Sequence, residues 1–210
     1  MGSIVLLDDE TINQIAAGEV IERPANVVKE MVENSIDAGA TSINIEIEQG
    51  GIKTIRITDN GKGIAPDDIA LAFERHATSK LRRATDLLRI STMGFRGEAL
   101  ASIASVSKIE MCTRTKEQEL GAKVFVEKGE IVKIEECGAP VGTTILVKEL
   151  FYNTPARYNF LKKDFTESGY IEDIVSKIAL IHPEISFKLV SNKKNVLQTS
   201  RKWGYENSSI

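Results

Sequence analysis

Ile43, Ile45 and Ile47 alternate with Asn44, Glu46 and Glu48, and the same rhythm returns at Ile55 and Ile57 after Gln49-Gly50-Gly51. A period of two gives each segment one apolar and one polar face, so the pair reads as a hairpin half-buried against another layer. A candidate for that layer lies just upstream. Pro24 suits the first turn of a helix running to about Asp37, and Gly39 suits its C-terminal stop. At about 100° per residue, Val28, Met31, Val32, Ser35 and Ile36 fall on one side of this helix, and Glu30, Asn34 and Asp37 form a narrow stripe opposite.

The rest of the chain extends this scheme. Thr11–Ala17 reads as a short helix with Thr11 as N-cap and Gly18 near its end, Pro66–Ala72 as another, and Glu98–Ser105 as a third. Strand patterns occur at Lys108–Thr113, Lys123–Glu127, Ile131–Ile134 and Thr144–Val147. Ile171, Ile174, Val175, Ile178 and Ile181 have helical spacing within about Tyr170–Ile181, and Ile185–Val190 with Asn195–Gln198 reads as a closing hairpin. Between Arg75 and Gly97 the chain is polar and weakly periodic, as in long functional or mobile loops. Helices combined with a largely antiparallel sheet give an α+β fold, a two-layer α/β sandwich with helices on one face.

Composition narrows the function classes. The 210 residues are 42% hydrophobic and 27% charged, which excludes a disordered tail, a collagen-like fibre and a disulfide-stapled miniprotein. The net charge of −3 means that nucleic-acid contact requires a local basic patch, for which Arg82, Arg83 and Arg89 or the pair Lys162-Lys163 are candidates against ordinary solvated charge. Cys112 and Cys137 lie far apart in sequence without a CxxC motif or a histidine partner, and read as free thiols of a reducing compartment. No apolar run approaches the roughly 20 residues of a membrane span, and Met1 is not followed by a basic segment and an apolar core; the expectation is a soluble cytoplasmic protein.

Three segments carry chemistry. Glu30-x-x-x-Asn34 is either an ordinary solvated helix face or a carboxylate one turn from an amide, both facing a cavity, where the first can take a proton from water and the second can sit on a hard cation. Asp59-Asn60-Gly61-Lys62-Gly63 is either plain turn chemistry or a place where glycines admit a ligand while Asp59 accepts a hydrogen bond from a donor such as an adenine amine. Gly94-Phe95-Arg96-Gly97-Glu98-Ala99-Leu100 puts two glycines before a helix start, either a capped flexible loop or a cradle of backbone N–H groups for phosphate.

In order along the chain, these segments resemble the ATP-binding fold shared by DNA gyrase B subunits, ninety-kilodalton heat-shock chaperones, sensor histidine kinases and MutL mismatch-repair proteins. KEMVENSIDAGA (Lys29–Ala40), DNGKGI (Asp59–Ile64), RHATSK (Arg75–Lys80), GFRGEAL (Gly94–Leu100) and LFYNTPAR (Leu150–Arg157) carry the likeness, and GFRGEAL with FYNTPAR is similar to MutL specifically. The resemblance covers about Ile4 to Ser200 and implies ATP and Mg²⁺ as ligands. It implies Glu30 as the base that activates water, Asn34 as the Mg²⁺ ligand and Asp59 as the adenine-recognising carboxylate. Thr78, Ser79 and Lys80 match nucleotide-contacting positions, Gly94 belongs to the lid segment, Arg96, Gly97, Glu98, Ala99 and Leu100 match the mobile lid over the phosphates, and Thr143 matches a strand threonine at the adenine end. His76 nearby is read as structural.

The function so implied is Mg²⁺-dependent ATP binding and slow hydrolysis, used as a switch in DNA mismatch repair, with a non-hydrolysing ATP-gated interaction module as the alternative. Expected partners are a mismatch-recognition protein and a downstream nuclease or helicase in the full-length protein, DNA bound weakly or through other regions, and a second copy in an ATP-dependent homodimer. Residues 1–200 form the ATP-binding domain. The family continues with a further domain that supplies a lysine to the γ-phosphate. Arg201–Ile210 departs from the family pattern, but one back-translation of it, read one base later, gives Gly-Asn-Gly-Asp. That tail is expected to be a disordered frameshift product of a longer natural chain.

Overall fold

A computed structural model describes residues 5, 6, 8–75 and 98–200. The Arg75–Gly97 loop beyond Arg75 and the 201–210 tail lie outside the described residues. The elements run α1 (Asp9–Val20), α2 (Pro24–Asp37), β1 (Ser42–Glu48), a 3-10 turn (Gln49–Gly51), β2 (Thr54–Asp59), α3 (Pro66–Ala72), α4 (Ala99–Ser105), β3 (Lys108–Arg114), β4 (Gly121–Glu127), β5 (Glu130–Cys137), β6 (Gly142–Lys148), α5 (Pro155–Phe160), α6 (Asp164–Ile181), β7 (Ser186–Ser191) and β8 (Lys194–Gln198).

The strands form one eight-stranded sheet in the order β5-β4-β3-β6-β2-β1-β7-β8. Every neighbouring pair is antiparallel except β1 with β7, a parallel pair whose crossover includes α6. The α+β, two-layer, mostly antiparallel architecture expected from the sequence is the one observed. The alternation sorts as the period requires: Ile43, Ile45, Ile47, Ile55, Ile57, Ile109, Met111, Val124, Val147, Phe187 and Leu189 are buried beneath the helices. Asn44, Glu46 and Arg56 occupy the opposite, exposed face. Val27, Val28, Met31 and Val32 from α2 and Ile171, Val175 and Ile178 from α6 complete the same core.

Local boundaries differ in instructive ways. Helix α1 starts at Asp9, not at Thr11, because Asp8 caps it by accepting the Thr11 backbone N–H (2.8 Å) and hydroxyl (3.1 Å). It also runs through Gly18 to Val20. An added Cβ at Gly18 would lie 1.2 Å from Arg157 Nη2, so the missing side chain makes room for a guanidinium. Helix α6 begins six residues before the Tyr170 start read from its apolar spacing, and that first segment carries a buried glutamate: Glu167 Oε1 accepts the Lys162 N–H at 3.0 Å. The LFYNTPAR segment is not bare loop, since Pro155–Phe160 is helical. It buries Leu150 and Phe151, and its Asn153 Nδ2 donates to the Ser105 carbonyl at 2.9 Å, fixing the end of α4.

Candidate functional site

The site forms where α2 crosses the end of β2. Asp59 closes β2 on the helix-covered face, opposite Thr143 of β6 and Ile43 of β1. Its Oδ2 accepts the hydroxyl proton of Ser35, a buried residue of α2, at 2.8 Å, and its Oδ1 accepts the Gly61 backbone N–H at 2.8 Å. Burial pushes the Asp59 carboxyl above the usual aspartate range, while the hydrogen bonds from Gly61, Ser35 and the Thr143 backbone pull it back and favour the ionised form. This is a desolvated carboxylate held in place by three donors.

The backbone around it is packed too closely for side chains. Gly61 lies against the C-terminal end of α2, where a Cβ would come within 2.9 Å of Ala38 Cβ. Gly142 has φ +122°, and a Cβ there would lie 2.2 Å from the Asp59 carbonyl oxygen. The turn also has the ordinary structural role read from its residue types: Asn60 Oδ1 accepts the N–H groups of Thr41 and Ser42, both at 2.9 Å, and its Nδ2 donates to Thr41 Oγ1. Within DNGKG, therefore, Asn60 builds the turn and Asp59 faces the helix layer.

Helix α2 presents the other candidates. Asn34 is exposed and Glu30 half-buried, one turn apart on the stripe that the apolar core leaves uncovered. Glu33, next to Asn34 in the same helix, is buried and paired with Lys29 at 2.8 Å, whereas Lys29 stands 3.7 Å from Glu30. Burial works against the Lys29 charge, but the two carboxylates outweigh it and hold its pKa above the ordinary lysine value.

Thr143 sits on β6 in register with Asp59, and its hydroxyl lies 3.0 Å from that of Thr113 on β3. Thr113 was not legible as a site residue. It is buried, its hydroxyl lies 3.2 Å from the Gly142 carbonyl, and it accepts the Ile64 N–H at 2.9 Å, so it ties β3, β6 and the end of the glycine turn together. Ser35 was also missed as a site residue, although it is the one polar member of the inward set Val28, Met31, Val32, Ser35 and Ile36, and that oddity was the available signal.

Glu98 stands at the N-cap position of α4, Ala99 opens the helix, and Leu100 packs its side chain against the core, so whatever Leu100 gives a ligand comes from its backbone. His76, Thr78, Ser79, Lys80, Arg82, Arg83, Arg89, Gly94, Arg96 and Gly97 lie outside the described residues. Lys162 and Lys163 are exposed at the start of α6, where Lys163 is also its N-cap. Among the described residues no cluster of three or more His, Cys, Asp or Glu side chains could hold a metal, and no helix is long and apolar enough to cross a membrane.

Residues 21–137 match the family described as histidine kinase-, DNA gyrase B-, and HSP90-like ATPase, a span that contains Glu30, Asn34 and Asp59. The DNA mismatch repair protein MutL of Agathobacter rectalis is 55% identical over 200 residues, covering 95% of this chain and 31% of that protein. MutL of Bacillus anthracis is 56% identical over 200 residues, with 95% and 32% covered. Among solved structures, the Aquifex aeolicus MutL ATPase domain complexed with ADP superposes with a TM-score of 0.71 at 36% identity, covering 88% of this chain and 66% of that one. The chain thus spans about a third of the length of these curated relatives. Matched over residues 21–137 and similar over nearly its whole length to MutL sequences, the chain belongs to the histidine kinase-, gyrase B- and HSP90-like ATPase family, in its MutL branch.

Proposed function

We propose that this chain binds ATP with Mg²⁺ beside Asp59 and hydrolyses it slowly, as the nucleotide switch of a MutL-type mismatch-repair protein. One observation carries the reading: a half-buried carboxylate, oriented by Ser35 and Gly61 at 2.8 Å each, sits beside a helix whose uncovered stripe holds Glu30 and Asn34. An ionised, desolvated acceptor of this kind suits a neutral amino donor such as that of adenine, since the donor replaces lost water without needing a second charge. The neighbouring glycines let the turn pack against Ala38 and Arg114, which holds Asp59 at the end of β2. The ADP in the Aquifex aeolicus structure supports a nucleotide at this kind of site.

The phosphate end then falls to α2. The Asn34 amide oxygen is a hard donor on an exposed position and fits Mg²⁺, which usually takes one or two protein oxygens and completes its shell with phosphate and water. Bound there, the ion would neutralise charge on the phosphates. Glu30 holds the proton-accepting role: its carboxylate takes a proton from a water aligned with the γ-phosphate. Thr78, Ser79, Lys80, Gly94, Arg96, Gly97, Glu98, Ala99 and Leu100 complete the phosphate side, with Thr143 bracing the adenine side. ATP ordering this lid and pairing two copies, and contacts with DNA, a mismatch-recognition protein and a downstream nuclease or helicase, belong to the same proposal for the longer protein, working in the cytoplasm. So do the 1–200 domain boundary and the frameshift origin of 201–210.

Steady-state phosphate release by the 210-residue chain, wild type against Glu30→Ala, tests the assignment. The expected result is measurable turnover that falls about 100-fold or more with nucleotide binding kept, since general-base catalysis contributes about 10²–10⁴. Binding without any wild-type turnover would leave the ATP-gated interaction module as the reading. Loss of binding in a folded mutant would remove Glu30 from the base role.

A further inference from the structure

Cys112 and Cys137, 25 positions apart in the chain, bring their sulfurs to 2.8 Å. Both thiols are reduced and half-buried. They lie on the sheet face opposite the helices, because Met111 and Thr113 on either side of Cys112 are buried beneath the helix layer. The two strands that carry them are not neighbours: Cys112 is on β3 opposite Lys123 of β4, and Cys137 is on β5 opposite Gly121 of β4. The side chains therefore reach over β4 to meet.

We propose that this pair is a reversible intramolecular disulfide site, closed by a disulfide oxidant of the glutathione type. The separation is about 0.8 Å longer than an S–S bond of about 2.0 Å, so closure needs a small approach. The fold leaves that movement available. Cys137 is the last residue of edge strand β5, and Gly138 follows it with open space where a Cβ would stand.

The chemistry balances with the oxidant named. One cysteine thiolate attacks a sulfur of oxidised glutathione and expels one glutathione thiolate, leaving a mixed disulfide. The second cysteine loses its proton to solvent, and its thiolate attacks the protein-bound sulfur, forming the Cys112–Cys137 bond and expelling the second glutathione. Two protein thiols are oxidised, and one glutathione disulfide is reduced to two thiols. Lys123 favours the Cys112 thiolate, but burial, together with Cys137, pushes the Cys112 thiol up to about 11. The reaction is therefore run at about pH 8.5 or above, where more thiolate exists. In a reducing compartment such a bond is transient, and forms when the thiol pool becomes oxidised.

The test is exhaustive treatment of the reduced 210-residue chain with oxidised glutathione, then tryptic mapping without reductant. The expected product joins the peptide of residues 109–114 to that of residues 134–148 within one chain, with the mass of the pair less two hydrogens. It returns to two free thiols with dithiothreitol. Cys112→Ser and Cys137→Ser should each retain a single glutathione adduct instead. Persistent adducts on the wild-type cysteines, linkage only between two chains, or two thiols that remain free would each overturn the proposal.

Discussion

Removing one hydroxyl tests how the candidate adenine-binding carboxylate is held. In Ser35→Ala the half-buried Asp59 carboxylate loses a 2.8 Å donor from inside the helix layer, while the small change in volume leaves the apolar packing of α2 in place. A hydrogen bond to a charged group contributes about 1.5–3 kcal/mol, and that is the expected loss of stability at neutral pH. The sign with pH follows from the raised Asp59 pKa. Burial makes the ionised form unfavourable in the folded chain, so this residue's cost is present above its folded pKa and disappears as pH falls through that value toward the ordinary aspartate range. Ser35 reduces the cost by favouring the ionised form. Losing it raises the folded pKa further and enlarges the cost only where Asp59 is ionised. Urea unfolding of wild type and mutant at about pH 7 and pH 4 should show the difference shrinking toward the roughly 0.5–1.5 kcal/mol of a neutral hydrogen bond. A difference that is the same at both pH values would refute the idea that Ser35 supports a charged Asp59.

Three further outcomes follow from the same site. Gly142→Ala, with φ +122° and a Cβ 2.2 Å from the Asp59 carbonyl, should destabilise the fold by at least about 2 kcal/mol in denaturant unfolding. Asn60→Ala removes the bonds to Thr41 and Ser42 and should cost about 1–2 kcal/mol while nucleotide affinity stays unchanged, which titration of the folded mutant would show. Glu30→Ala should lower phosphate release about 100-fold or more at saturating ATP without weakening analogue binding, measured in parallel on one preparation.

The pattern-bearing parts of the fold were legible because burial on one face leaves a period in the sequence. The alternating isoleucines of β1 and β2, the amphipathic α2 and its proline start all appear where expected. Terminal caps and couplings over long sequence distances were not. Asp8 capping α1 shifts a boundary by two residues, and the parallel pairing of β1 with β7 joins segments about 140 positions apart with no local signal. Arg157 filling the space above Gly18 likewise links the LFYNTPAR segment to α1, which sequence order separates. In the site, Glu30, Asn34 and Asp59 were selected by resemblance, because local reading left each with an ordinary structural alternative. The structure shows Asp59 locked to α2 by Ser35, an interaction spanning 24 positions that neither segment could announce alone. The two cysteines, far apart in the chain, meet for the same reason: strand pairing creates their proximity.

The central claim is that Asp59 recognises the base of a bound nucleotide. Calorimetric titration of the 210-residue chain with a non-hydrolysable ATP analogue and Mg²⁺, wild type beside Asp59→Asn, tests it most directly. Asparagine keeps the size of the side chain but replaces one acceptor oxygen with a donor that would oppose the adenine amine. The account predicts saturable binding by the wild type and its loss in a mutant that stays folded and, relieved of a partly desolvated charge, is no less stable at neutral pH. Equal affinity in the two proteins would contradict it.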